Sequence, residues 1–140
     1  MGQAVLVREQ VDGGTKLLAR LRDRGFGARG ACWGKRGDDS TLHLFIVWPG
    51  EYGGHFAPIR EALQSLEPEW SHVFEKVRQE DVRVIAPTTP LARGLLDLYD
   101  RYPEQLPIWD SSYNFGNYEF LDSVFVYPPE LFAQPAPAGG

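Results

Sequence analysis

Residues 28–48, ARGACWGKRGDDSTLHLFIVW, contain two apolar segments separated by a run of turn-forming residues. Gly, Asp and Ser each favour turns through a different backbone or side-chain effect, so the run predicts the loop of a β-hairpin. A loop over 36–40 would pair Trp33 with His43 in the two strands. The hairpin is the starting point from which the rest of the fold is predicted.

The two strands of this hairpin have different characters. In the predicted register Gly30, Cys32 and Gly34 share one face, and their small side chains would let a helix approach closely. In residues 44–48 both faces are apolar, which is typical of a strand in the interior of a sheet. We therefore expect a sheet that is covered by helices and continues on the far side of this strand.

Asp38 and Asp39 stand in the predicted loop, immediately before the second strand. Two adjacent carboxylates at a strand edge suggest metal-dependent phosphoester chemistry. A catalytic pair is normally held on rigid elements with further acids nearby, and the following strand offers only Thr41 and His43 as polar members. The pattern therefore favours a hairpin turn.

The rest of the chain alternates helical and strand patterns. A helix is predicted to start at Asp12 or Thr15 and to end at Gly25, and another is predicted to start with Thr89 as N-cap and Pro90 at its first position. Further elements are expected at 55–66 (helix), 70–77 (short helix), 81–87 (strand) and 108–127 (a hairpin turning at 114–117). The order predicts an α+β fold with a mainly antiparallel four- to five-stranded sheet and helices packed on one face. Residues 1–132 are interpreted as one domain and 133–140 as a flexible Pro/Ala/Gly tail.

Charge and composition indicate which classes of partner and which cellular location suit the protein. The net charge is −5, but residues 1–36 carry +5 and residues 37–140 carry −10. A globally acidic chain repels the phosphate backbone, so nucleic acid is an unlikely partner and a basic protein suits it better. The longest apolar run, Leu42 to Trp48, is far shorter than the roughly 20 residues that span a bilayer. With no secretory pattern and one cysteine, the sequence predicts a soluble cytoplasmic protein.

The sequence contains no complete catalytic motif. Gly13, Gly14 and Thr15 resemble the helix start of nucleotidyltransferases, but that family also needs alternating acids on the next strand, and 41–47 has none. Cys32 lacks a base in the predicted register, where His43 points to the other face. The histidines show no metal-ligand spacing. We therefore assign no catalytic residue, metal or cofactor.

Two aromatic segments are the best candidates for binding. The loop 48–55, WPGEYGGH, combines aromatic, acidic and imidazole groups on a glycine-rich backbone; an ordinary strand-to-helix connection is the alternative. Residues 109–118, WDSSYNFGNY, place aromatics in and around a turn, where burial is difficult; a place in the core is the alternative. The predicted binding residues are Trp48, Glu51, Tyr52, His55, Trp109, Tyr113, Phe115 and Tyr118.

The leading hypothesis is a small acidic protein-interaction module, such as an accessory subunit or an immunity or antitoxin-like binder, without catalytic activity of its own. One alternative is a metal-dependent nucleotide- or phosphoester-processing enzyme that uses Asp38 or Asp39 with His43 or His55. The second alternative is a domain that senses a small ligand in a pocket around Trp48, Tyr52 and His55. Divalent-metal binding distinguishes the enzyme, and ligand quenching of tryptophan emission distinguishes the sensor.

Overall fold

The fold is α+β with one five-stranded sheet, as predicted. The computed structural model describes residues 6, 8–24, 28–36, 41–48, 57–66, 77–116 and 119–132. The elements in chain order are α1 (Arg8–Asp23), β1 (Gly30–Lys35), β2 (His43–Val47), α2 (Ala57–Ser65), β3 (Val82–Ile85), α3 (Pro90–Arg101), β4 (Ile108–Phe115) and β5 (Glu119–Val126).

The strands lie in the order β3-β2-β1-β5-β4. Every neighbouring pair is antiparallel except β2 and β3, which run parallel. Parallel neighbours need a long crossover connection, and the segment that contains α2 supplies it. The sheet is therefore mainly antiparallel, with β3 and β4 as its two edges.

The β1–β2 hairpin forms as predicted, but its register is shifted by one residue. Trp33 pairs with Leu44 rather than His43, and Cys32 pairs with Phe45. A shift of one residue exchanges the faces of one strand relative to the other. His43 consequently lies opposite Gly34, on the same face as Cys32, which corrects the expectation that the two point apart.

The sheet has a hydrophobic cluster on each side, and helices contribute to both. The α1 face is packed by α1 and α2, and its cluster includes Trp33, Leu44 and Ile46. The α3 face is packed by α3, and its cluster includes Cys32 and Phe45. The expected packing of all helices on one face is therefore not confirmed. The physical reason is that β1 and β2 are apolar on both sides, so both faces must be removed from water.

Helix α3 begins where the sequence pattern predicts. Thr89 is its N-cap residue, Pro90 occupies the first helical position, and Pro103 follows the helix closely. Proline is well suited to the first turn, because its missing N–H has no intrahelical partner there. The predicted β4–β5 hairpin also forms, and Gly116 supplies the positive φ of 57° at its turn.

Helix α1 starts earlier than predicted, so Gly13 and Gly14 lie inside it rather than at its entry. A Cβ atom on Gly14 would stand 2.0 Å from the Tyr127 hydroxyl and 3.2 Å from Trp33 Nε1. Close packing of α1 on the sheet therefore requires glycine here. The short helix predicted over 70–77 lies outside the described residues except for Val77, and so does the tail over 133–140.

Candidate functional site

A groove beside Trp109 is the most distinctive exposed feature at the β4 edge of the sheet. Its volume is about 420 Å³, and we call it the Trp109 groove. It is lined by Leu6, Trp109, Asp110, Ser111 and Ser123. Trp109 is 50% exposed, although it belongs to a residue type that is usually well buried.

Trp109 is held by a row of aromatic rings on the α1 face. Its ring meets that of Phe125 edge to face, with centroids 5.3 Å apart, and Phe125 meets Tyr127 in the same way at 4.9 Å. Tyr127 is anchored in the core, because its hydroxyl donates to the Val11 carbonyl at 2.7 Å and accepts from Trp33 Nε1 at 2.9 Å. Edge-to-face pairs add to the energy of burial, so the tryptophan is a fixed platform.

The floor of the groove depends on an irregularity in β5. Leu121 and Val124 are three residues apart, yet both belong to the cluster on the α3 face. Regular alternation would place them on opposite faces. Between them Ser123 adopts a φ of 53°, and the register of β5 against β1 shifts in the same region. This bulge changes the phase of the strand and brings Ser123 into the groove.

The β4 edge differs from the β3 edge in ways that matter for binding. β4 spans 8 residues, and in the described part of the chain it pairs with β5 alone. β3 spans 4 residues and carries the exposed Arg83. Short strands and basic side chains protect sheet edges against further strand pairing. β3 has both protections, whereas β4 is long and contains no Lys, Arg or Pro.

The charge around β4 is acidic. The exposed Asp110 follows Trp109 directly, and its Oδ1 accepts a long contact of 3.5 Å from the Ser112 amide. From Tyr102 to the C-terminus the sequence has five acidic residues and no Lys or Arg. A cationic segment would therefore find a complementary field along this edge.

The structure separates the other predicted binding residues. Trp48 is partly buried against the cluster on the α1 face, and its amide donates to the Ile85 carbonyl at 3.2 Å. Tyr113 packs against the cluster on the α3 face and meets the Phe115 ring at 4.9 Å. Phe115 is fully buried, because it faces α3 at Gly94, so it is not available to a partner. Glu51, Tyr52, His55 and Tyr118 lie outside the described residues.

Cys32 does not have the environment of a nucleophile. The side chain is fully buried on the α3 face, and burial raises the pKa of its thiol far above the usual range. The reactive species is the thiolate, so sharing a face with His43 does not activate it. Within the described ranges, no group of three or more His, Cys, Asp or Glu side chains is placed to hold a metal ion.

Sequence reasoning identified Trp109 but missed Leu6, Asp110, Ser111 and Ser123 as its neighbours. One signal was present in β5: the apolar residues Leu121 and Val124 break the two-residue period, which indicates a bulge. The approach of Leu6 has no local signal, because residues more than one hundred positions apart meet there only in the folded chain.

Comparison with known proteins does not assign this chain to a family. No family model, no curated protein and no solved structure matches the chain. Among the helices that the structure describes, none is long and apolar enough to cross a membrane.

Proposed function

We propose that this protein is a protein-interaction module that binds a basic, extended segment of a partner along the outer edge of β4, with Trp109 as the anchor. The observation that carries the proposal is a long edge strand with a half-exposed tryptophan beside it. An extended peptide added to such an edge gains main-chain hydrogen bonds, and neighbouring pockets select its side chains. The Trp109 groove is a pocket of this kind.

The fixed position of Trp109 supports its role as an anchor. Buried aromatic anchors dominate the binding energy of many interfaces, and Trp is the most enriched residue type among them. A side chain that is already held by Phe125 loses little conformational freedom on binding. The tryptophan is therefore prepared for a partner without rearrangement of the core.

Charge supports the choice of partner. Asp110 lies at the groove, and the sequence from Tyr102 onward carries five acids and no Lys or Arg; of these acids, Glu119 is paired with Arg36. The acidic edge would attract a Lys or Arg side chain of the partner, and the aliphatic stem of such a side chain would cover the indole ring. Electrostatic attraction of this type acts mainly on the association rate and on specificity.

The test is affinity capture from the native source with the unchanged chain and three full-length variants, followed by mass spectrometry. We expect Trp109→Ala and Asp110→Lys each to lose a partner that the unchanged protein retains. Phe120→Ala is the matched control, because Phe120 is a similarly exposed aromatic residue (53%) on the neighbouring strand and does not line the groove. Truncating a hot-spot side chain to alanine typically weakens binding by about 2 kcal/mol or more, which is roughly a thirtyfold loss of affinity.

The identified partner is then titrated against each variant by calorimetry. Loss of affinity in the Trp109→Ala and Asp110→Lys proteins, with little change in the Phe120→Ala protein, would support the proposal. A partner whose affinity is the same for all variants, or that is lost only with Phe120→Ala, would place the interface elsewhere and contradict it.

A further inference from the structure

A second cavity lies at the opposite edge of the sheet, on the α3 face over β2 and β3. Its volume is about 340 Å³, and we call it the basic cavity. Its lining combines two arginines and a histidine with three apolar residues, of which Phe45 and Ile85 belong to the α3 face: Arg36, His43, Arg83, Phe45, Val84 and Ile85. No acidic residue is among the described residues that line it. Four strand spacings of about 4.8 Å separate the β3 and β4 edges, so this cavity is independent of the Trp109 groove.

Sheet topology explains why the cavity exists. Helix α3 packs mainly against β1, β4 and β5. The part of the same face formed by β2 and β3 continues past the helix, with Phe45 and Arg83 side by side in the parallel register. The register therefore places Arg83 on the α3 face of β3, and at this edge the residue also borders a neighbouring cavity next to Leu63 of α2. The result is a concave surface with an apolar floor and a cationic rim.

Arg36 is held above this floor by two interactions. Its guanidinium carbon lies 5.2 Å from the centre of the Phe45 ring, which is a cation–π geometry. Its Nε donates to Glu119 Oε2 at 3.3 Å, with the arginine side chain 48% exposed. Among contacts with described residues, the two Nη groups are not engaged by this ion pair, so they remain donors for another acceptor.

Arg83 is held from the other side. Its Nη1 donates to the backbone carbonyls of Glu80 at 2.7 Å and Val82 at 3.1 Å. These two bonds tie the guanidinium to the β3 edge, where it lines the cavity. The His43 ring stands beside the Phe45 ring with centroids 6.0 Å apart. Three nitrogen-bearing groups are thus positioned around one space by contacts within the protein.

We propose that the basic cavity binds the phosphate or carboxylate group of a small organic molecule between Arg36 and Arg83. Guanidinium groups match the planar, multidentate geometry of such anions, and charge-assisted hydrogen bonds are among the stronger polar contacts. The organic part of the ligand would rest on Phe45 and Ile85, the apolar lining residues that belong to the α3 face. The volume is at the lower end of the range of about 300–1,000 Å³ that is usual for ligand pockets.

The probe for this site is phenyl phosphate, which joins a phosphate to one apolar ring, and phenol is its uncharged counterpart. Binding is followed by NMR through the ring signals of His43, one of three histidines in the chain. We expect saturable shifts with phenyl phosphate and none with phenol. The Arg36→Gln/Arg83→Gln double variant should weaken binding about tenfold or more, because charge-assisted contacts are lost.

Arg101→Gln is the control for loss of a positive charge as such, since it removes one charge of the same type from a residue of α3 that pairs with Asp97 and does not line the cavity. Its affinity should equal that of the unchanged protein, and amide spectra verify that every variant is folded. Absence of shifts at His43, equal affinity in the double variant, or equally tight binding of phenol would each overturn the proposal. Failure of the Trp109 experiments would leave this outcome unaffected.

Discussion

The substitution Gly14→Ala tests how closely α1 packs on the sheet. The added Cβ would stand 2.0 Å from the Tyr127 hydroxyl oxygen and 3.0 Å from the ring carbon that bears it. The Tyr127 ring must therefore move, and its hydrogen bonds with the Val11 carbonyl and Trp33 Nε1 are then lost. These groups are buried, so bulk water cannot replace the lost hydrogen bonds.

The magnitude follows from these contacts. Each of the two buried partners left without a hydrogen bond costs about 1–3 kcal/mol. Replacing glycine by alanine inside a helix returns about 1 kcal/mol through helix propensity. We therefore expect the free energy of unfolding to fall by about 1–5 kcal/mol, and the upper end is a large share of the roughly 5–15 kcal/mol typical of a domain.

The assay is urea unfolding followed by tryptophan fluorescence, with Tyr127→Phe as a second background. Phenylalanine removes the hydroxyl that meets the new Cβ, so Gly14→Ala should cost less than about 1 kcal/mol in that background. The slope m should remain unchanged in all four proteins, which verifies that the same surface is exposed on unfolding. An equal cost of Gly14→Ala in both backgrounds would refute the close contact as the reason for this glycine.

Three further predictions use buried groups. Burial raises the pKa of the Tyr99 and Tyr127 hydroxyls in the folded protein above their ordinary value of 10.0, so the folded state keeps protons that the unfolded state loses. The free energy of unfolding is therefore unaffected below about pH 10 and falls above it by roughly 1.4 kcal/mol per pH unit for each hydroxyl. Denaturant titrations at alkaline pH should show a smaller slope for Tyr99→Phe than for the unchanged protein. The Cys32 thiol should not react with a thiol reagent at neutral pH in the folded protein and should react fully in denaturant, because burial suppresses its thiolate; rapid reaction in the folded state would contradict its placement. Gly94→Ala should destabilise the fold by about 3 kcal/mol or more, since the new Cβ would stand 2.4 Å from the Phe115 backbone oxygen, which cannot rotate away. The measurement is thermal unfolding, and an unchanged midpoint temperature would disprove the contact.

Several elements of the fold could be predicted from local properties of the sequence. Thr89 and Pro90 mark the start of α3 because N-capping and the missing proline N–H are properties of the residues themselves. The turns of the two hairpins are likewise marked by residues that favour tight or left-handed backbone. The apolar character of β2 on both faces correctly indicated an interior strand.

The register of the first hairpin was predicted wrongly for an identifiable reason. β1 reads GACWGK, and its small residues on one face and mixed residues on the other give no strong alternation that would fix the pairing. The shift of one residue is decided by packing on both faces, because it groups Leu44 with Trp33 in the cluster on the α1 face and Phe45 with Cys32 in the cluster on the α3 face. The placement of His43 in the basic cavity follows from that shift.

The sequence by itself determined the α+β class, the acidic C-terminal region and Trp109 as a candidate anchor, because these depend on residue type and short-range spacing. Only the tertiary structure decided the placement of helices on both faces, the burial of Phe115 and the exposure of Trp109. It also decided that Gly14 serves close packing and that Arg36 and Arg83 meet around one cavity. The physical reason is that each of these features is a contact between residues distant in the chain, and such contacts are selected by the joint packing of the two faces of the sheet.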